Sequence, residues 1–275
     1  MTKQHFILLD QGALRSPKLR ERIESAQTCI FVVPDVAFSE MSIKKDPIQS
    51  MVRSLALLAP VRDRTFASLS CGEIKQLQRT NSVLTIKDIL SGQGTKIMHV
   101  LMQGESHPDF SMVVQRILET APDHRKIYDA RQDKATMMNC VAIFSRDLGS
   151  SGLKALRSGK ITNIEKLGII LLIMSGMKAL TESFETDTDV RMLLVRLARI
   201  MIWAEKQGLG QIASDKIMND YIDMDFVVAG SYFDETLTCD KMVTLLDQML
   251  RAALEPEHSN EAAKAAVAIG FKVRE

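Results

Sequence analysis

The sequence is poor in the residues on which zinc sites, disulfides and histidine-based catalysis depend. Its four cysteines lie far apart, and they form no C-x-x-C pair and have no histidine at metal-ligand spacing: Cys29, Cys71, Cys140 and Cys239. This spacing argues against a zinc site and a disulfide framework, and it favours reduced thiols in a cytoplasmic protein. The five histidines share no local pattern. A reaction that needs a histidine base is therefore disfavoured.

Long apolar runs and a strong excess of either charge are also absent. The longest apolar run covers residues 168–177, well below the roughly 20 residues of a membrane-spanning helix. The apolar residues 6–9 end at Asp10, so we expect neither a secretory signal nor a membrane partner. Lys and Arg number 35 against 34 Asp and Glu, for a formal net charge of +1. Bulk charge thus gives no basis for binding nucleic acid, although a local basic rim could do so.

Strand patterns occur near both ends of the chain. "HFILLD" and "CIFVV" open it, with helical patterns after each, while "DETLT" and "GFKV" follow residue 220. Apolar, β-branched strands that alternate with helices are typical of a parallel sheet covered on both faces. We therefore predict an α/β fold with a mostly parallel sheet, formed by residues 1–80 and 215–275.

The middle of the chain has a different character. Residues 81–214 show successive helical patterns separated by "SGQG", "ESHPD" and "LGSSG", which predicts a large all-helical insertion. Its clearest helix should bury a stripe that includes Leu193, Leu197, Ile200 and Ala204.

Acidic residues follow two of the predicted strands. Asp10 ends "FILLD" and Asp240 ends "ETLTCD", while Glu40 lies in the helix after the second strand and Asp223 near the start of a later helix. Ligands collect at the carboxyl ends of parallel strands. Clustered carboxylates repel one another unless they are well solvated, protonated or bound to a hard divalent cation. The sequence therefore predicts a four-carboxylate Mg²⁺ or Mn²⁺ site, which could hydrolyse a phosphodiester without a protein nucleophile.

Three acid-bearing segments resemble those of PIN-domain nucleases: "FILLDQGAL", "VVPDVAFSEM" and "NDYIDMDFVVAGSYFDETLTCDK". The resemblance implies a doubly wound α/β fold, and it implies that Asp10, Glu40, Asp223 and Asp240 are the catalytic, metal-binding acids. Thr238 in "TCD" corresponds to the family's threonine that orients an acid. The helical middle is longer than a compact PIN domain needs.

Other residues near the third acid are candidates for supporting roles. Asn219 or Asp220 occupies the "ND" that often precedes the third acid in this family. Asp225 is an alternative to Asp223, because the two flank one methionine and cannot point the same way on a helix.

Basic residues close to these acids in the sequence could contact a phosphate backbone: Arg15, Lys18, Lys44 and Lys45. A solvated helix face explains them equally well. Asp240 could likewise serve only as the N-cap of the helix that begins at Lys241.

The predicted function is a metal-dependent endoribonuclease that acts on single-stranded or structured RNA. A DNA or flap nuclease is the alternative enzyme. A catalytically inactive PIN-like scaffold that binds a protein partner through its helical middle is the alternative outside enzymology. A homo-oligomer or an inhibitory protein partner is compatible with each of these functions.

Overall fold

Five strands and twelve α-helices make up the described parts of the chain. The structure is a computed structural model that describes residues 4–25, 28–81, 84–130, 134–179, 187–206, 209 and 214–271, with the backbone alone for 124–125, 127–130, 134 and 214–219. The strands are β1 (His5–Leu9), β2 (Cys29–Val33), β3 (Thr65–Ser68), β4 (Leu90–Ser91) and β5 (Glu235–Leu237). The helices are α1 (Pro17–Ser25), α2 (Asp35–Ser42), α3 (Pro47–Leu55), α4 (Cys71–Thr80), α5 (Gly92–Gln103), α6 (Phe110–Ala130), α7 (Lys134–Arg157), α8 (Asn163–Gly176), α9 (Thr188–Lys206), α10 (Ser214–Gly230), α11 (Lys241–Leu254) and α12 (Pro256–Ala268).

The strands form one sheet in the order β4-β3-β2-β1-β5. Neighbouring strands are parallel from β3 to β5, and β4 pairs antiparallel with β3. The predicted α/β class and mostly parallel sheet are thus confirmed. From β1 the chain builds outward through β2 and β3, whereas β5 is added on the other side of β1. Strand order therefore reverses at β1, which makes the β1–β5 boundary a topological switch point.

The two central strands are buried on both faces. Ile7, Leu9 and Phe31 belong to one apolar cluster, which also contains residues of the helices α2, α3 and α5. The alternating residues Leu8 and Val32 are fully buried as well. A strand covered on both faces needs a continuous apolar run instead of an alternating one, which explains the composition of "HFILL" and "CIFVV".

Several helices begin at capping residues that the sequence supplies. Asp46 accepts a hydrogen bond from the Gln49 N–H at 3.1 Å at the start of α3, with Pro47 as the first helical residue. Ser70 and Glu73 form a capping box at the start of α4. Such caps satisfy backbone N–H groups that have no partner within the helix.

The chain divides into two compact units. The sheet unit comprises Met1–Arg131 and Ala229–Thr244, and the helical unit comprises Gln132–Val228 and Leu245–Glu275. This division differs from the predicted one. Residues 81–131 join the sheet unit because α5 packs on β3 and α6 packs on α2. Residues 245–275 join the helical unit because α12 packs on α8.

Helix α9 is buried on more than one face in the helical unit. Leu197, Ile200 and Ala204 are fully buried, as predicted. Leu193 is half-buried, contrary to the prediction. Burial extends to the opposite side of the helix, including Val195, so the single predicted stripe is too narrow.

Close helix packing and a buried ion pair mark the same unit. A Cβ added to Gly168 of α8 would lie 1.8 Å from the Ala262 carbonyl oxygen of α12, so these helices approach closely because neither carries a large side chain there.

The Arg199 guanidinium pairs with the Asp220 carboxylate, and both residues are buried.

The predicted strand "GFKV" lies only partly within the described residues. Gly270 lies in a turn after α12 and Phe271 belongs to no strand, whereas Lys272 and Val273 lie outside the described residues. Across the helices of the described ranges, none is long and apolar enough to cross a membrane.

Candidate functional site

The switch point brings the ends of β1 and β5 together. Leu9 pairs with Leu237 in parallel register, and the Asp10 N–H donates to the Leu237 carbonyl oxygen at 3.0 Å. Asp10 and Thr238 are the next residues on their respective strands. The pairing of the strands therefore places both side chains at the carboxyl edge of the sheet.

A threonine hydroxyl connects two of the predicted acids. The Thr238 Oγ1 hydroxyl donates to Asp10 Oδ2 at 2.9 Å and accepts from the Asp240 N–H at 3.0 Å. The nearby backbone N–H groups of Gln11 and Gly12 also favour the ionised form of the Asp10 carboxylate. Thr238 is buried, so the hydroxyl is held in place. The Asp10 side chain is consequently oriented by the Thr238 hydroxyl.

Asp240 caps the following helix. Its Oδ1 atom accepts from the Met242 N–H at 2.5 Å and from the Val243 N–H at 3.2 Å at the start of α11. These bonds show that Asp240 is the N-cap of α11, the alternative role considered for it in the sequence analysis. Both bonds use Oδ1, and the residue is exposed. The second carboxylate oxygen can therefore accept from another group without loss of the cap.

Glu40 lies on α2, with one basic and one amide neighbour. The Lys44 ammonium is 3.6 Å from Glu40 Oε1, one helical turn later. With its amide nitrogen turned toward Glu40, Gln11 donates to Oε2 at 3.0 Å and to Oε1 at 2.5 Å. Gln11 follows Asp10 directly in sequence. It therefore links the end of β1 to the acid on α2.

Burial and neighbouring charges raise the pKa values of two of the acids, Asp10 and Glu40. Burial raises the pKa of Asp10 above its usual value; hydrogen bonds from Thr238, Gln11 and Gly12 oppose that rise, and the Asp240 charge adds to it. Burial also raises the pKa of Glu40, with Lys44 opposing the shift and Asp10 adding to it. Asp10 and Glu40 are thus costly to ionise, chiefly because they are buried, and a cation would relieve that cost.

The donor set suits a hard divalent cation. Mg²⁺ is commonly held by one or two carboxylates and keeps several waters, and Asp10 and Glu40 supply two oxygen ligands near one another. Across the described ranges, no three His, Cys, Asp or Glu side chains are grouped closely enough to hold a metal ion. The predicted four-carboxylate cluster is therefore not formed within those ranges. Asp10 and Glu40 are the acids that would hold the ion, and Asp240 is linked to Asp10 through Thr238.

The acids of α10 belong to the helical unit. Asp223 and Asp225 are half-buried there, and the convergence of either on Asp10 stays a prediction. Asp220 forms the buried pair with Arg199, a structural role that the sequence did not indicate. The Asn219 side chain lies outside the described residues.

The basic candidates differ in what they contact. The Arg15 guanidinium donates to Ser54 Oγ at 3.0 and 2.7 Å and to the Ser50 carbonyl at 3.2 Å, so it fastens the segment after β1 to α3. Lys44 pairs with Glu40. Lys18 and Lys45 are exposed, and their contact with a phosphate backbone stays a prediction.

Two residues of the site were missed by the sequence reasoning. Gln11 connects Asp10 with Glu40, and Gly12 leaves room for the Asp10 carboxylate, since a Cβ there would lie 3.3 Å from Asp10 Oδ2. Both residues directly follow an acid that ends a strand, and this position in the sequence could have indicated that they belong to the site.

The comparisons with known proteins found no match to this chain. No protein-family model matches the chain, and no curated protein or solved structure matches it either. The PIN-domain resemblance therefore rests on the quoted segments alone.

Proposed function

We propose that the chain is a metal-dependent nuclease with a PIN-like sheet unit, and that its substrate is RNA. The observation that carries the proposal is the Asp10 carboxylate at the switch point, oriented by Thr238 and electrostatically coupled to Glu40. Acids whose ionisation is disfavoured by burial and by a neighbouring carboxylate have a functional explanation when they share a cation. The choice of RNA over DNA comes from the PIN resemblance.

The residues of the chain hold and orient the acidic ligands. Thr238 orients Asp10, so the position of this carboxylate does not have to be organised when substrate binds. Gln11 and Lys44 fix Glu40 from two sides. Asp223 of α10 is proposed as a further ligand.

A bound Mg²⁺ or Mn²⁺ ion would supply Lewis-acid chemistry: it lowers the pKa of a bound water and offsets charge on the phosphate. The chain's own contribution is the placement of oxygen ligands. Lys18 and Lys45, exposed on the sheet unit, are proposed to attract the phosphate backbone.

The test is a cleavage panel with the purified full chain. Labelled single-stranded RNA, single-stranded DNA and duplex DNA are each incubated with Mg²⁺, Mn²⁺ or EDTA. We expect RNA cleavage with either metal, suppression by EDTA, and loss of cleavage in Glu40→Gln. The control is Glu21→Gln, which removes the same charge from an exposed position on α1.

The panel also separates the alternatives. Cleavage of DNA alone would replace RNA by DNA as the substrate. Intact substrates under every condition would overturn the nuclease and leave the scaffold function.

A further inference from the structure

A second candidate site lies in the sheet unit, at the carboxyl ends of β2 and β3. A cavity of about 320 Å³ opens there between α2, α5 and α6, with Asp35 and Phe38 of α2, Glu73 of α4 and Arg116 of α6 among its lining residues. Its volume is at the small end of the roughly 300–1,000 Å³ of ligand pockets in general. It therefore suits one small group better than an extended chain.

The charges around the cavity select against an anion. Asp35 and Glu73 contribute two carboxylates, and Arg116 contributes one guanidinium, so the lining carries a net negative charge. A phosphate would be repelled by the two carboxylates. A neutral ligand that presents N–H donors on one edge and acceptors on another matches this lining.

The polar groups are held by local bonds that leave some of their capacity unused. Glu73 accepts from the Ser70 N–H and hydroxyl through one oxygen, Oε2, at 2.8 Å in each case. With its amide oxygen turned inward, Gln93 accepts from the Arg116 Nη1 and Nη2 groups at 3.3 and 2.9 Å. A guanidinium has five N–H donors, so Arg116 keeps donors for a ligand while Gln93 limits its movement.

The remaining walls are apolar. Phe38 on α2, Ile97 on α5 and Ile117 on α6 line the same space. Aromatic and aliphatic surface of this kind suits the faces of a flat heteroaromatic ring, and base–aromatic contact is a general means of holding single-stranded nucleic acid.

Guanine is the nucleobase whose edges fit best. Its N1–H and amino group give adjacent donors for a carboxylate, and its O6 and N7 atoms are the acceptors that a guanidinium contacts in bidentate fashion. Adenine and cytosine each have an amino donor but lack the adjacent N1–H and O6 pattern. Uracil lacks the amino group.

The cavity and the acidic site both lie at the carboxyl edge of the sheet, on different sides of helix α2. The helix carries Phe38 in the cavity wall and, two residues later on its other side, Glu40 of the acidic site. Resting on the proposed nuclease function, we propose that the cavity holds a guanine base of single-stranded RNA and so fixes which bond lies at the acids. Cleavage would then occur at a constant offset from a guanine.

The first experiment measures base binding without any cleavage. Guanosine, adenosine, cytidine and uridine are titrated into the full chain in EDTA and followed by ligand-observed NMR, with ribose as the sugar-only control. We expect guanosine to bind most tightly, and Arg116→Ala and Arg116→Lys to weaken it about tenfold, since lysine keeps the charge but loses the bidentate fork. The matched control is Lys126→Ala, which removes a positive charge from the exposed surface of the same helix.

The second experiment uses RNAs that contain a single guanosine moved along an otherwise constant sequence. In the wild type and in Lys126→Ala the cut should move with the guanosine, whereas in Arg116→Ala its position should no longer depend on it. Equal binding of all four nucleosides, binding unchanged by both Arg116 variants, or a cut that ignores guanosine in the wild type would each overturn the proposal. If guanosine binds as expected but the wild type cuts no RNA, the nuclease function fails and the base pocket stands.

Discussion

Replacing Gly12 by alanine tests whether the position of the Asp10 carboxylate matters, without any change in charge. Gly12 has φ −63° and ψ −36°, a conformation that alanine adopts without strain. The added Cβ would lie 3.3 Å from Asp10 Oδ2. That distance is tight enough to move the carboxylate by a few tenths of an ångström. Stability and activity should therefore respond in different ways.

The expected changes in stability and rate follow from the backbone conformation of Gly12 and from the tight contact of the added Cβ with Asp10. Replacing glycine by alanine at a compatible position raises the free energy of unfolding by about 0.4–1 kcal/mol, because it lowers the conformational entropy of the unfolded chain. The tight contact with Asp10 removes part of that gain. Misplacement of a reacting group by about 1 Å can reduce a rate roughly 100-fold. A shift of a few tenths of that distance should reduce RNA cleavage about four- to tenfold, while stability stays equal or rises slightly.

The assay pairs urea denaturation with single-turnover cleavage of labelled RNA in Mn²⁺. Gly72→Ala is the control, because its Cβ would meet its nearest neighbour, Ser70 Oγ, at an ordinary 3.9 Å. Gly72→Ala should keep the wild-type cleavage rate. Full activity in Gly12→Ala would refute the argument that the Asp10 carboxylate must be held in its present position, and a large loss of stability would show that the segment after β1 is packed differently.

Three further outcomes are expected. Asp240→Ala should lower the free energy of unfolding by about 1 kcal/mol in urea denaturation, because it removes the cap of α11, whereas Asp240→Asn should keep the cap. Both variants should impair cleavage if the second carboxylate oxygen of Asp240 contacts the cation. Equal stability of the two variants would contradict the capping role. Gly168→Ala should lower the free energy of unfolding by about 1–3 kcal/mol in the same assay, because its Cβ collides with the Ala262 carbonyl; wild-type stability would contradict the close approach of α8 and α12. The raised pKa values of Asp10 and Glu40 contribute stability that is fully present below their usual values of 3.8 and 4.5 and is lost as pH rises through the raised values. In EDTA, the unfolding free energy of Asp10→Asn relative to the wild type should thus increase as pH rises from below 3.8 through the raised pKa of Asp10. A difference that does not change with pH would contradict the shifts.

The sheet was predictable where its strands are long and apolar. β1 and β2 are continuous apolar runs, and β5 lies within the predicted "DETLT". The short strands β3 and β4 were missed because "TFAS" and "LS" have too few apolar residues to show a period. Their pairing depends on contacts with β2 and α5, which local sequence does not encode.

The candidate site was predictable in part. The link between Asp10 and Thr238 follows from two strand-ending residues on neighbouring parallel strands, which sequence order suggests. The Gln11 bond to Glu40 and the Arg15 bonds to Ser54 depend on how helices pack against the end of β1. Side-chain partners of this kind are set by tertiary structure.

The domain boundaries also depend on tertiary packing that the sequence pattern does not reveal. Helical character was predicted for residues 81–214, but helical pattern does not state what a helix packs against. The apolar face of α5, including Met98 and Leu101, is buried in the sheet unit's cluster. The predicted boundary near residue 80 therefore separated two parts of one core.

The Mn²⁺-dependent cleavage rate of Asp10→Asn on single-stranded RNA tests the central claim most directly. Asparagine keeps the size of the side chain and an oxygen that can accept from Thr238, but it removes an anionic metal ligand. Loss of groups that only orient a ligand typically costs 10- to 100-fold, so loss of a ligand should reduce the rate roughly 100-fold or more. Asp234→Asn is the control, because Asp234 accepts from the Phe6 N–H near the opposite ends of the strands. The account predicts a rate at least about 100-fold below wild type for Asp10→Asn and an unchanged rate for Asp234→Asn; EDTA-sensitive cleavage that survives in Asp10→Asn would contradict it.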